Sequence, residues 1–181
     1  MKLEEAISRI DEDLAEKEGR QAALLQKSRN AVRSCAKAIK ALHVGEKPDL
    51  EALDAAVKEL RAMDDGFEGI TRIAYQEYAE IMCFNAIKNR EPVPDYEELS
   101  IPYLEWLTGL CDCVGELRRA LQIALKDGEK EEAEHYFKEM NALYDNVMVL
   151  NYSGSIVGNL KPKQDAARRQ VEQARSEILR C

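Results

Sequence analysis

Apolar residues recur along this chain at steps of three and four. Leu3, Ile7, Ile10 and Leu14 step by 4, 3 and 4, which puts them on one face of a helix. The pattern resumes with Leu25, Val32, Cys35, Ile39 and Leu42. Residues 2–43 contain no proline and one glycine, Gly19. They predict one long helix of about 60 Å at 1.5 Å per residue, with Gly19 as the candidate break. Gly45 and Pro48 interrupt the pattern, and Asp49 suits the N-cap of a second helix over 50–63, whose apolar side is Leu53, Val57 and Leu60. Asp64-Asp65-Gly66 predicts a turn. A third helix over 67–90 must stop at Arg90-Glu91-Pro92-Val93-Pro94, because proline lacks an amide hydrogen and disfavours helix in the residue before it.

Three more segments follow. Residues 102–126 read as a helix ended by Asp127-Gly128. Residues 129–150 read as another, with Tyr136, Phe137, Met140, Leu143, Tyr144 and Val147 on its apolar side. Residues 152–159 read as a loop, and 160–180 as the last helix. No alternating strand pattern competes, and there is no repeat of fixed period. The expected fold class is all-α: a single domain over 1–181, a bundle of six or seven helices.

Composition narrows the class. At 181 residues and 45% hydrophobic, the chain can bury a real core. No uncharged stretch approaches the roughly 20 apolar residues of a membrane helix, and Met1 leads into an acidic amphipathic segment rather than a signal peptide. Five cysteines, an odd number with no secretory signal, imply reduced thiols and a cytoplasmic setting rather than a disulfide framework.

The net charge of −8 argues at first against a nucleic-acid partner. Its distribution changes that picture. Residues 20–43 hold six basic side chains and no acid. Among them Arg29, Arg33, Lys37 and Lys40 step by 4, 4 and 3 and form one stripe. Residues 160–180 hold six bases against three acids, and the rest of the chain 14 bases against 31 acids. A solvated helix face ordinarily mixes signs for pairing at i,i+4. A run without acids is equally suited to phosphates.

Four acids interrupt apolar runs. Glu77 and Glu80 share a helix face with Ile73 and Phe84. Asp112 and Glu116 lie one turn apart in Leu107-Thr108-Gly109-Leu110-Cys111-Asp112-Cys113-Val114-Gly115-Glu116-Leu117. Like charges at this spacing repel, and acids among apolar residues need a counter-charge. A divalent cation shared by the two pairs is one answer. Ion pairs to neighbours such as Arg72 or Arg119 are the other. Oxygen-only ligands would suit Mg²⁺, Mn²⁺ or Ca²⁺. A di-iron bundle would need Glu-x-x-His twice, and only Glu132-x-x-His135 matches. Cys111-x-Cys113 lacks zinc spacing, so Cys35, Cys83, Cys111 and Cys113 read as core residues. No glycine-rich phosphate loop and no Gly-x-Ser-x-Gly elbow is present.

Gln76-Glu77-Tyr78-Ala79-Glu80, followed by Phe84, resembles the Gln-Glu-Tyr-x-Glu segment of translin-associated factor X (Trax). Trp106-Leu107-Thr108-Gly109-Leu110-Cys111-Asp112-Cys113-Val114-Gly115-Glu116-Leu117 is similar to the family's Tyr-Leu-x-Gly-x-x-Asp-x-x-Gly-Glu-Leu, with Trp106 in place of Tyr. Leu143-Tyr144-Asp145, Lys40-Ala41-Leu42-His43 and the helix from Leu160 fit less specifically.

The resemblance implies a curved seven-helix bundle, a translin-like α-α superhelix, in a hollow homo-oligomer, an octamer. It implies a metal-dependent endoribonuclease site on Glu77, Glu80, Asp112 and Glu116, with Mg²⁺ as cofactor and Mn²⁺ as its substitute. Translin itself binds RNA and single-stranded DNA and has an apolar residue where this chain has Asp112. The intact acid set therefore places the chain with the catalytic branch, in a compact archaeal-type form. Single-stranded RNA is the expected partner and single-stranded DNA a second one, held by Arg29, Arg33, Lys37, Lys40 and Arg119. The products would carry a 5′-phosphate and a 3′-hydroxyl. Tyr75 and Tyr78 are candidates for base stacking or, more simply, for the core. A translin-like binding protein without catalysis and a helical scaffold protein are the competing readings.

Overall fold

The computed structural model describes residues 2–64 and 66–180. It is all-α, with helices α1 (Lys2–His43), α2 (Leu50–Met63), α3 (Glu68–Lys88), α4 (Tyr103–Asp127), α5 (Lys130–Met148), α6 (Gly154–Val157) and α7 (Leu160–Ile178). The expected boundaries hold to within about two residues, the scatter normal for helix ends. Asp49 caps α2 as expected, accepting a 3.0 Å hydrogen bond from Ala52 N. Gly128 ends α4 in the left-handed conformation at φ 80°, where a side chain would be strained. Gly19 does not break α1, since a single glycine costs only about 1 kcal/mol against alanine. The segment 152–159 is not wholly a loop, because it contains the single turn α6. The turn expected at 64–66 includes Asp65, which lies outside the described residues.

Four helices form one parallel layer. Contacts between α1 and α3 climb together, from Ser28 with Ile70 to Leu42 with Lys88. Those between α3 and α4 climb from Arg72 with Glu105 to Gln76 with Asp112. Those between α4 and α7 climb from Asp112 with Lys163 to Arg118 with Glu177. Helices α2 and α5 run back along the rear of this layer. Tyr78 reaches Asp54 of α2, and Val114 faces Leu143 and Val147 of α5. The return from α3 to α4 is non-helical and carries Pro92, Pro94 and Pro102. Trp106 anchors it by donating to Pro94 O at 3.0 Å.

The core lies between the layer and its two backing helices. Leu24, Leu53, Leu60, Ile81, Phe84, Leu117, Leu121, Met140 and Leu160 are fully buried in it. Cys35, Cys83, Cys111 and Cys113 are buried there too, as expected. The core stripe of α1 differs from the expected Val32, Cys35, Ile39 and Leu42. It runs through Leu24, Ser28, Ala31, Cys35, Ala38 and Leu42. Small residues let α1 approach closely, and the buried Ser28 hydroxyl is satisfied by donating to Ile70 O at 2.7 Å.

The first half of α1 covers nothing. Leu3, Ile7, Ile10 and Leu14 are 74%, 57%, 53% and 57% exposed. They lie on the same seam as the core stripe, continued toward the N-terminus. Among the described residues no helix is long and apolar enough to cross a membrane.

Candidate metal centre and nucleic-acid interface

The two carboxylate pairs meet on the front of the parallel layer, the side that α2 and α5 leave open. Glu77 and Glu80 project from α3, and Asp112 and Glu116 from α4. All four are half-buried. Both pairs lie side by side because Gly109 brings α4 tightly against α3. A cleft of about 230 Å³ runs from Glu80, Asp112 and Glu116 toward Ala166, Ala167 and Gln170 of α7.

The four acids have unequal partners. Lys163 Nζ donates to Asp112 Oδ1 at 2.7 Å and to Oδ2 at 2.6 Å. Gln76 Nε2 adds a third hydrogen bond to Oδ2 at 2.6 Å. Glu116 shares a short hydrogen bond with His43 Nε2 of α1, whose ring packs on Phe84 at 5.1 Å between centroids. Arg119 lies 4.0 Å from the same carboxylate. Glu77 and Glu80 have no hydrogen-bond or ion-pair partner among the described residues.

This imbalance appears in their acidity. Burial, then the Asp112, Glu77 and Glu116 charges, push the Glu80 carboxyl up to about 9, with Lys163 opposing weakly. Burial, then Asp112, also raise Glu77 above the ordinary carboxylate range. The Cys35 thiol beneath them is pushed up to about 12 by burial and by Glu77 and Glu80. The front is therefore short of positive charge.

That shortage, with an all-oxygen donor set, fits a hard divalent cation. Among the described residues the side chains are not gathered as a ready-made cage of three or more donors. Asp112 is turned to Lys163 and Glu116 to His43.

Of the pairings considered from sequence, that of Arg119 with Glu116 is present at 4.0 Å, and the others fall elsewhere. Arg72 bonds Glu105 at 3.1 Å, not the four acids. Glu132 pairs with Arg90 at 2.5 Å and His135 with Ile87 O, so Glu132-x-x-His135 plays no part in the site. Tyr75 and Tyr78 are core residues, donating to Asp64 at 3.2 Å and Asp54 at 3.0 Å. Lys163 was not singled out by sequence reasoning, and His43 and Gln76 stood there only inside the family-like segments, with no role of their own. Lys163 and His43 lie 51 and 73 residues from the acids they hold, and no local spacing signals such a contact.

Arg29, Arg33, Lys37 and Lys40 are all exposed. None has an ion-pair partner among the described residues, whereas Lys27 on the same helix bonds Glu59 of α2 at 2.5 Å. Lys27 and His43 lie on opposite flanks of the α1 core stripe. Arg29, Arg33 and Lys40 lie on the His43 flank, within about 80° around the helix. Arg119 of α4 stands beside the acid face, next to Glu116.

The Translin family matches residues 2–176 of this sequence. The chain belongs to the Translin family. An uncharacterized protein of Methanocaldococcus jannaschii is 32% identical over 174 residues, covering 92% of this chain and 78% of that one. Two solved structures are 26% identical and align over 99% of the chain. They are AfC3PO in complex with duplex RNA (TM-score 0.79, 95% of that chain) and AfC3PO alone (0.76, 96%). The structure of apo-NeC3PO, at 18% identity, shares the Translin-family fold over 96% of this chain and 95% of that one, with a TM-score of 0.79.

Proposed function

We propose that this Translin-family chain is the catalytic subunit of a homo-oligomeric RNA-hydrolysing assembly. Glu77, Glu80, Asp112 and Glu116 would hold the divalent cation, Mg²⁺ or in its place Mn²⁺. One observation carries this reading: two half-buried carboxylates, Glu77 and Glu80, have no hydrogen-bond or ion-pair partner among the described residues, and Glu80 lines a cleft with Asp112 and Glu116. When bound, the cation supplies Lewis acidity toward a phosphodiester and activation of water. The chain's residues then divide the work. The acids fix the cation, and Gln76 orients Asp112 through its amide. His43 sets the direction of Glu116. Arg29, Arg33, Lys37, Lys40 and Arg119 would hold the RNA backbone without reading its sequence.

The RNA partner is supported by the AfC3PO complex, which contains duplex RNA. We infer single-stranded RNA as the cleaved form, because an enclosed face admits a flexible strand more readily than a stiff duplex. An assembly, with an octamer as its expected size, is supported by the uncovered seam of Leu3, Ile7, Ile10 and Leu14. A second reading, RNA binding without cleavage, draws on the hold of Lys163 on Asp112.

The deciding experiment incubates the protein with fluorescent single-stranded and duplex RNA, in Mg²⁺ and in EDTA, beside Asp112→Asn. Cleavage that needs both Mg²⁺ and Asp112 is expected. Binding without cleavage in every condition would replace the catalytic reading with the carrier reading.

A further inference from the structure

Lys163 stands in the first turns of α7, and its ammonium is the only lysine or arginine group within hydrogen-bonding range of the four acids among the described residues. It bridges both oxygens of Asp112. With Gln76 on Oδ2 as well, that oxygen already accepts two hydrogen bonds, and a carboxylate offers about four acceptor sites in all. A divalent cation bound through Asp112 would meet an ammonium at contact distance, and two cations that close repel strongly in a half-buried site. Both cannot sit on this carboxylate in comfort.

We propose that Lys163 is a resident counter-ion of the metal-free protein, occupying Asp112 in place of a divalent cation and displaced from it when the cation binds. The proposal rests on the reading of the four acids as metal ligands. It also accounts for the absence of a ready-made cage among the described residues: both oxygens of Asp112 are taken by Lys163 of α7. Electrostatics agree with geometry, since Lys163 is the one basic group that offsets the mutual repulsion felt by both Glu77 and Glu80. Removing it leaves four carboxylates with less to neutralise them. The metal-free fold becomes less stable, and the appetite for a divalent cation grows. Loading would then exchange one intramolecular cation for one from solution, so the threshold of metal concentration is set by Lys163.

The test measures Mn²⁺ binding to the full chain by the electron paramagnetic resonance signal of the free ion, without RNA. Wild type, Lys163→Gln, Lys163→Arg and Asp112→Asn are compared, with thermal unfolding in EDTA and in saturating Mn²⁺. Lys163→Gln is expected to bind Mn²⁺ about tenfold more tightly than wild type. It should melt lower in EDTA, and the gap should close in saturating Mn²⁺, because a ligand of the native state restores stability by mass action. Lys163→Arg keeps the charge and should stay near wild type, which guards against a general loss of packing at this position. Equal or weaker Mn²⁺ binding by Lys163→Gln, with wild-type binding that needs Asp112, overturns the counter-ion role and leaves the metal site standing. Wild-type binding that is absent, or indifferent to Asp112→Asn, overturns the metal site and the counter-ion role with it.

Discussion

Gly109 of α4 lies so close to Ala79 of α3 that a Cβ added to it would stand 2.7 Å from the Ala79 Cβ. The same Cβ would meet Gln76 O at 2.7 Å and Glu80 N at 3.1 Å. These are backbone or short side-chain atoms that cannot swing aside. Gly109→Ala should therefore force α3 and α4 apart and cost about 1–3 kcal/mol, the range for overpacking a tight core. Urea unfolding reads this as a lower midpoint at unchanged slope. A wild-type midpoint would mean that the helices separate freely here.

Removing a single acid should separate binding from chemistry. Asp112→Asn and Glu80→Gln are each expected to slow RNA cleavage by at least about a hundredfold, the scale of deleting one electrostatic group from such a site. RNA affinity should survive, since the proposed backbone contacts are the basic residues of α1 and Arg119, not the acids. Single-turnover cleavage and a filter-binding titration measure the two quantities. Cleavage at the wild-type rate by either variant removes that residue from the site.

Glu80 gives a pH signature. Its ordinary value is 4.5, and in the folded protein it is raised to about 9 by burial and by Asp112, Glu77 and Glu116. The fold favours the neutral carboxyl. Its contribution to stability is thus fully present below 4.5 and is lost progressively as pH rises to about 9. Glu80→Gln, which stays neutral, should gain on wild type across that window when both are melted in EDTA. A melting difference that does not vary with pH would show that Glu80 ionises normally.

The basic stripe should carry the salt dependence. Arg33→Glu combined with Lys37→Glu is expected to weaken RNA binding and to flatten the plot of log affinity against log salt by about 0.7 per lost phosphate contact on a single strand. Unchanged affinity would move the RNA surface off α1, with α7 and its five basic residues as the next place to look.

The bare half of α1 predicts an assembly. Ile7→Asp with Leu14→Asp should leave the helical content of the chain intact, because neither residue touches the core, while lowering the mass seen by light scattering. If the double variant keeps the wild-type mass, the seam is not an interface.

Much of this was legible in the sequence, and the boundary is physical. Helix positions follow from periodicity and from breakers such as Pro92, Pro94 and Gly128, which act locally. The four acids stood out because each interrupts an apolar run. What remained hidden depends on packing between distant segments. The 51 residues between Asp112 and Lys163, and the 73 between His43 and Glu116, are closed only by helices stacking side by side. The α1 core stripe was misplaced for a related reason. Ser28, Ala31 and Ala38 carry little hydrophobic signal, yet they are small enough to let a helix approach, while Val32 and Ile39 end only half-buried.

The parallel layer has an electrical consequence. Peptide dipoles in α1, α3, α4 and α7 all point the same way, and α2 and α5 oppose only part of them. Lys40, His43, Lys88, Lys126 and Arg175 stand in the last turns of these four helices, where positive charge softens the negative pole. Copies stacked in register would add their remaining macrodipoles. Copies related by a two-fold axis across the helices would set one against the other, so that under this symmetry their net macrodipole along the helices cancels.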